Sequence, residues 1–239
     1  MNLSEQSDFY DSYWNDKTPF GAYKLTRIMW VLNCLKSLGS LRYDLRVLDM
    51  GCGDGRSVAI WNIFAKEAIG IDLSKGAMEA ANLAYPLIDF YDGDACRTHF
   101  EDDSFDLIIS HEVIEHIAIQ SNYVGEIKRL LRKGGHLILT TPNRYYFDRR
   151  KGGNYSQQPI ENVLTPKELK TLISPDFKIK TMTSMIIAKG DYGVYRLVTN
   201  SLLRRGLSRL KIKDYYDSML EKQLLGLHLG ILCQLKDHK

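Results

Sequence analysis

No apolar run in the 239 residues approaches the roughly 18 needed to cross a bilayer, so no membrane span is expected. The four cysteines, Cys34, Cys52, Cys96 and Cys233, are scattered without a C-x-x-C pair. That spacing argues against a zinc ribbon or a disulfide framework and fits a reducing compartment. Charge of one sign is also scarce. With 32 Lys and Arg against 29 Asp and Glu, the net charge is +3, without the clustered excess of a strong nucleic-acid binder. The short basic clusters, Arg149-Arg150-Lys151 and Arg204, Arg205, Arg209, Lys211 and Lys213, read as solvated faces, with an anionic partner as the alternative. Met1 to Asp11 is polar and acidic rather than basic and then apolar, so no signal peptide is expected and the protein reads as cytoplasmic. Neither a repeat nor a low-complexity tract is found.

What is present suits one large domain with a full core, since 44% of the residues are hydrophobic. A helix is expected over 23–39, with apolar positions at Leu25, Ile28, Met29, Leu32, Leu35 and Leu38 and a stop at Gly39. Short apolar runs then alternate with helical segments. Strands are expected near 46–50, 67–72, 88–91, 105–110 and 135–141, and helices near 56–66, 75–84 and 121–132, with a less regular turn at 112–118. That alternation predicts an α/β, doubly wound, mostly parallel sheet, with ligands at the carboxyl ends of its strands. Residues 143–164 read as a long loop, and Thr165-Pro166-Lys167-Glu168 as a capped helix start. A strand near 177–187, helical segments near 193–205 and 214–225, and a strand near 227–235 complete the chain. The domain divides into an N-terminal cap and first helix (1–45), a cofactor-binding core (46–141) and an acceptor side (142–239).

The densest signal is Val47-Leu48-Asp49-Met50-Gly51-Cys52-Gly53-Asp54-Gly55. Glycines after a strand let the backbone pass close to a ligand because they carry no Cβ. They also serve plain chain reversal. A dinucleotide fold would need G-x-G-x-x-G, but position 56 is Arg. A carboxylate two residues before the first glycine would repel a pyrophosphate and suit a ligand bearing an ammonium and a sulfonium. Asp72 ends the second strand where a carboxylate takes ribose hydroxyls, and Asp94 follows the third, placed to accept from an adenine amino group. Three acids at three successive strand ends point to S-adenosyl-L-methionine.

The stretch from about 46 to 144 resembles a class I (Rossmann-like) S-adenosylmethionine-dependent methyltransferase. It is most similar to the group that includes ubiquinone-pathway and sugar or natural-product O-methyltransferases. VLDMGCGDG, GIDLS, GDA, FDLIISHEVIEHI and LLRKGGHLILTTPNR carry the resemblance. It implies a seven-stranded sheet with a reversed final strand, 177–187 and 227–235 being the last two strands with a helical insertion between them. It also implies that Asp49, Gly51 and Gly53 cradle the methionine part of the cofactor and that Asp72 binds the ribose. Leu73 would pack beside the adenine, with Asp94 and the Ala95 backbone binding it. His111 would line the site near the methyl group. Tyr13 and Trp14 resemble an aromatic lid of the same group.

His111, Glu112, Glu115 and His116 leave the mechanism open. Glu115-His116-Ile117 reads as a structural turn, or His116 or His111 as the catalytic base for an acceptor hydroxyl, since an unperturbed imidazole titrates near neutrality. Glu112-x-x-Glu115-His116 also matches a divalent-cation site of RNA 3′-end 2′-O-methyltransferases, but Gly153 to Glu161 lacks the further histidine of that family. No metal is therefore expected. His99, His136, His228 and His238 read as surface or packing residues. Acceptor contacts are expected from 1–25, 143–164 and 188–226, which hold many tyrosines, with Arg144, Arg149 and Arg150 available for an acceptor carboxylate or phosphate. The expected acceptor is a small molecule, sugar or glycan; the alternative is an RNA ribose.

Overall fold

The computed structural model describes residues 3–15, 21–39, 44–151 and 158–237. Its centre is a run of largely buried strands, as expected where both faces of a parallel sheet are covered by helices. β1 (Arg46–Met50), β2 (Glu67–Asp72), β3 (Phe90–Asp92), β4 (Phe105–His111) and β5 (Leu131–Pro142) are all parallel. β6 (Phe177–Met185) and β7 (His228–Leu235) complete a seven-stranded sheet of order β3-β2-β1-β4-β5-β7-β6. β7 lies between β5 and β6 and runs antiparallel to both. The expected doubly wound sheet with a reversed final strand is therefore present, and the order reverses at β1/β4, where ligands bind in such sheets.

Strand alternation divides the core into two layers. Leu48, Met50, Ile69, Ile71 and Ile108 face α5 (Gln120–Leu130) and α7 (Pro166–Ile173) through Tyr123, Ile127, Leu130, Leu169 and Ile173. On the other face, Val47, Leu107, Ile109 and Ile138 meet α2 (Ala22–Ser37), α3 (Arg56–Asn62) and α4 (Lys75–Ala84). The stripe expected on α2 is rotated. Ile28, Val31, Cys34 and Leu35 are buried, whereas Leu25 and Met29 face outward.

Three further differences have local causes. Residues 3–15 form α1 (Leu3–Asn15), too polar to show an apolar stripe. This helix is held by hydrogen bonds: Asp11 Oδ1 accepts from Ser74 Oγ at 2.5 Å and from Gly76 N at 3.0 Å, at the start of α4. β5 begins four residues before its expected start, past an irregularity in its pairing with β4. The helical insertion breaks into α8 (Gly193–Val198), α9 (Ser201–Arg209) and α10 (Lys213–Lys222). Asn200 makes the break by accepting from Leu202 N at 2.8 Å, a side-chain cap that starts α9. In 143–164, Asn143 caps the short α6 (Arg144–Phe147) and donates to Leu224 O and Gly226 O, tying the loop to the start of β7. Tyr155 and the rest of 152–157, with His238, lie outside the described residues.

Thr165 and Glu168 form the expected capping box at α7, whose Leu169 and Ile173 are fully buried. Replacing Thr165 with Ala removes that cap and should cost about 1 kcal/mol. Thermal melting followed by circular dichroism should then show a midpoint lower by about 2–4 °C; an unchanged midpoint would show that the cap contributes nothing.

Candidate active site

The carboxyl ends of β1, β2 and β4 open into a cavity of about 890 Å³, within the range of small-molecule sites. Its floor is the glycine-rich turn. Gly51 and Gly53 have left-handed φ of 79° and 55°, and a Cβ on either would intrude. At Gly51 it would meet Val113 at 2.3 Å, and at Gly53 the Trp14 ring at 2.1 Å. The turn is stapled to the next strand end, because Gly53 N donates to Asp72 Oδ2 at 2.8 Å. Asp72 Oδ1 accepts from Ser74 N at 3.0 Å.

Asp49 is 1% exposed, and its Oδ2 accepts from the Trp61 indole at 2.8 Å. Burial pushes its pKa up to about 7, against the Trp61 bond and the Lys24 charge. Burial likewise raises Asp72, opposed by its bonds to backbone N–H groups. Two buried acids beside an apolar floor favour a cationic ligand that restores their charge. Leu73, Asp94 and Ala95 line the far end of the cavity, where Asp94 Oδ1 accepts from Cys96 N at 2.8 Å. α1 roofs the space with Tyr10, Tyr13 and Trp14, so the expected aromatic pair sits on the wall, on a helix the sequence pattern did not reveal.

At the opposite end, His111 Nδ1 lies 3.1 Å from Thr140 Oγ1, whose hydroxyl donates to Glu112 Oε1 at 3.0 Å. Glu112 has a φ of 56°, a strained left-handed conformation for a residue with a side chain. Its pKa is lowered below the usual carboxylate range, despite burial, by His228 and Arg27. An ionised carboxylate only accepts, so the Thr140 proton points to Glu112 and the His111 Nδ1 carries a proton. The bare lone pair is then on Nε2, which is buried without a partner. Burial, assisted by Arg27, lowers the His111 pKa to about 3, so its ring is neutral across the physiological range. Arg27 on α2 and His228 on β7 complete this end, with His228 Nδ1 2.7 Å from Glu112 Oε2. His228 is thus a cavity residue and not mere packing. Neither it nor Arg27 had a sequence signal, because α2 and β7 meet Glu112 only through the sheet order.

His116 is placed differently. Its Nδ1 donates to Ile160 O at 2.9 Å, and its Nε2 faces Glu115 Oε1 at 3.6 Å. Glu115 is 2% exposed, accepts from Thr141 Oγ1, and is raised well above the usual carboxylate range by burial and by the Glu112 charge. Asn162 adds a bond from its N–H to Glu115 O, and Gln120 bridges Ile114 O and Asn162 O. The 3-10 turn Ile114–His116 and the segment 158–164 are therefore stitched together. Glu112 turns to Thr140 and His228 while Glu115 and His116 face each other, and among the described residues no cluster of three His, Cys, Asp or Glu is arranged to hold a metal ion. None of the arginines expected to meet an acceptor lines the cavity. Arg144 pairs with Glu168, Arg149 stacks 3.6 Å over Tyr145, and Arg150 is exposed.

Residues 48–139 match the family model described as a methyltransferase domain. A Mycolicibacterium smegmatis protein named for S-adenosylmethionine-dependent methyl transfer is 34% identical over 101 residues, covering 42% of this chain and 39% of its own length. The chloroplastic tocopherol O-methyltransferase of Arabidopsis thaliana is 33% identical over 54% of the chain and 38% of its own length. A ubiquinone biosynthesis O-methyltransferase of a Bradyrhizobium strain is 31% identical over 47% and 43%. The chain spans about two-fifths of the length of these curated relatives. Among solved structures, a Haloferax volcanii chain in complex with the Trm112 methyltransferase activator superposes with TM-score 0.67 at 15% identity, over 100% of this chain and 99% of that one. An S-adenosylmethionine-dependent methyltransferase from Mesorhizobium loti gives 0.58 at 18%, over 84% and 96%. These two likenesses establish the fold. The cofactor that the matched domain and its sequence relatives imply is S-adenosyl-L-methionine, and the glycine cradle and buried acids described above fit it.

The buried Asp49 makes a prediction about stability. Its folded pKa lies above the unfolded value, so its stabilising contribution is present at low pH and is lost as pH rises through about 7. Asp49→Asn keeps an oxygen for Trp61 and removes that loss. Its melting temperature should exceed that of the unmodified protein by several degrees at pH 8 and by little at pH 4. A variant less stable than the parent at pH 8 would contradict the burial argument.

Proposed function

We propose, from the premise that residues 48–139 are a class I S-adenosylmethionine-dependent methyltransferase domain, that this protein is an enzyme that O-methylates a small molecule, sugar or glycan. The single observation that supports an oxygen acceptor best is the buried, unpartnered Nε2 of His111, a residue that lines the cavity. A neutral imidazole with a bare lone pair accepts a hydrogen bond from a hydroxyl and turns its oxygen toward the reacting centre. Two of the relatives are named as O-methyltransferases, in keeping with that reading.

In this proposal Asp49, Gly51 and Gly53 hold the methionine part of the cofactor and Asp72 its ribose. Leu73, Asp94 and the Ala95 amide hold the adenine. When bound, S-adenosylmethionine supplies an electrophilic methyl group for in-line displacement. The protein's main contribution is then position. His111 orients the acceptor hydroxyl and receives its proton at Nε2 as the new C–O bond forms. A weak base is adequate there, since an alcohol or phenol oxygen becomes strongly acidic on bonding to a third group. Thr140 and Glu112 keep the proton on Nδ1, and the Glu112 carboxylate offsets the imidazolium charge. His116 is a positioning residue, fixing 158–164 against the 3-10 turn through Ile160. Cytoplasmic placement remains part of the proposal; among the described residues no helix is long and apolar enough to cross a membrane.

Cofactor binding should depend on pH through Asp49. An ammonium ligand binds its ionised form, so affinity should weaken about tenfold per pH unit below 7 and level off above it. Titration calorimetry with S-adenosylhomocysteine from pH 5.5 to 8.5 checks this, and a flat profile would exclude Asp49 from the ammonium site. Labelled-methyl transfer to pools of hydroxyl compounds identifies the acceptor. With it in hand, His111→Ala should lower kcat about a hundredfold while leaving the cofactor Kd nearly unchanged. His116→Ala should chiefly raise the acceptor KM. Unchanged single-turnover rates in His111→Ala would remove the base assignment.

A further inference from the structure

Helix α9 buries none of its residues, although it is flanked by ordered helices and starts with a side-chain cap. At 3.6 residues per turn, Leu202, Leu203, Leu207 and Leu210 share one arc, and Arg204, Arg205 and Arg209 lie outside it. The helix is anchored on the side of Arg204 and the half-buried Leu207, which leaves Leu202, Leu203 and Leu210 outward. Arg204 donates to Ile187 O at 2.9 Å and to Asp217 Oδ2 at 2.7 Å. Leu202 and Leu210 are consequently 73% and 70% exposed. Leu197 on α8 and Ile212 just before α10 are exposed as well. From Gly193 to Lys213 the chain has arginines and lysines but not one Asp or Glu. Arg204 and Lys213 share Asp217, while Arg205, Arg209 and Lys211 form no ion pair among the described residues.

We propose that the α8–α10 face is a peripheral docking surface for an anionic phospholipid bilayer. An amphipathic helix with leucines on one arc and cations beside them lies in the plane of the interface. Its apolar side enters the acyl boundary and its cations meet headgroup phosphates. A nucleic acid would satisfy the arginines but leave the leucines in water. A second copy related by two-fold symmetry would bring the same unpaired cations face to face. The lipid surface satisfies both halves of the pattern. It also accounts for the basic cluster at 204–213 that the solvated-face reading leaves without a task. The inference rests on the surface of α8–α10 and not on the methyl-transfer assignment, so either can fail without the other.

Co-sedimentation of the full chain with phosphatidylcholine vesicles, with and without phosphatidylglycerol, tests it. The protein should pellet with the anionic vesicles at low salt and remain in solution with the neutral ones. The double variants L202S/L210S and R205E/R209E should each lose roughly tenfold or more in partitioning. Because these side chains support no core, circular dichroism and S-adenosylhomocysteine binding should match the parent. Absence of binding to anionic vesicles would overturn the proposal. So would leucine variants that bind as well as the parent, since that means simple adsorption of a basic patch. Vesicle-free light scattering that shows a dimer abolished by L202S/L210S would assign the face to a second copy instead.

Discussion

The hydrogen bond from Gly53 N to Asp72 joins the turn after β1 to the end of β2, and much of the site depends on it. It can form because both partners sit where a parallel sheet delivers them: β1 and β2 pair in register, Asp49 opposite Gly70 and Met50 opposite Ile71. Two carboxylates are thereby held out of water at neighbouring strand ends, each with part of its hydrogen-bonding capacity spent inside the protein. Keeping a buried charge without a cation costs free energy. The fold carries that cost in its resting state, and a cationic ligand relieves it. The left-handed glycines are the geometric counterpart, since any side chain there would close the space that the acids face.

The other end of the cavity has the opposite character. His111, Thr140 and Glu112 form a directed chain whose polarity is fixed by one ionised carboxylate, leaving one imidazole nitrogen unspent. The strained backbone at Glu112 is what aims that carboxylate back at Thr140 and His228. α1 lines the same cavity with Tyr10, Tyr13 and Trp14.

The sheet, and the acids gathered at its strand ends, were legible in the sequence because they rest on local, periodic features. Buried parallel strands read as apolar runs, and Asp49, Asp72 and Asp94 recur at strand ends. α1 was not legible, since its hold on α4 is polar and leaves no apolar stripe. Asn200, a single capping side chain, split a segment that periodicity joined. At the His111 end the histidines were visible but their surroundings were not. His111 and His116 are five residues apart, yet one keeps a buried Nε2 without a partner and the other spends its Nδ1 on Ile160. Trp61, Arg27 and His228 reach the site from distant segments, and no spacing in the chain encodes such meetings.

The account stands on one geometric claim, that the cavity holds S-adenosylmethionine with its sulfur between the glycine turn and His111. A crystal structure with S-adenosylhomocysteine tests it most directly. The account predicts an ammonium at Asp49, ribose hydroxyls at Asp72, and a sulfur facing the space in front of His111 Nε2. A ligand bound with its adenine at the His111 end, or outside this cavity, would contradict it.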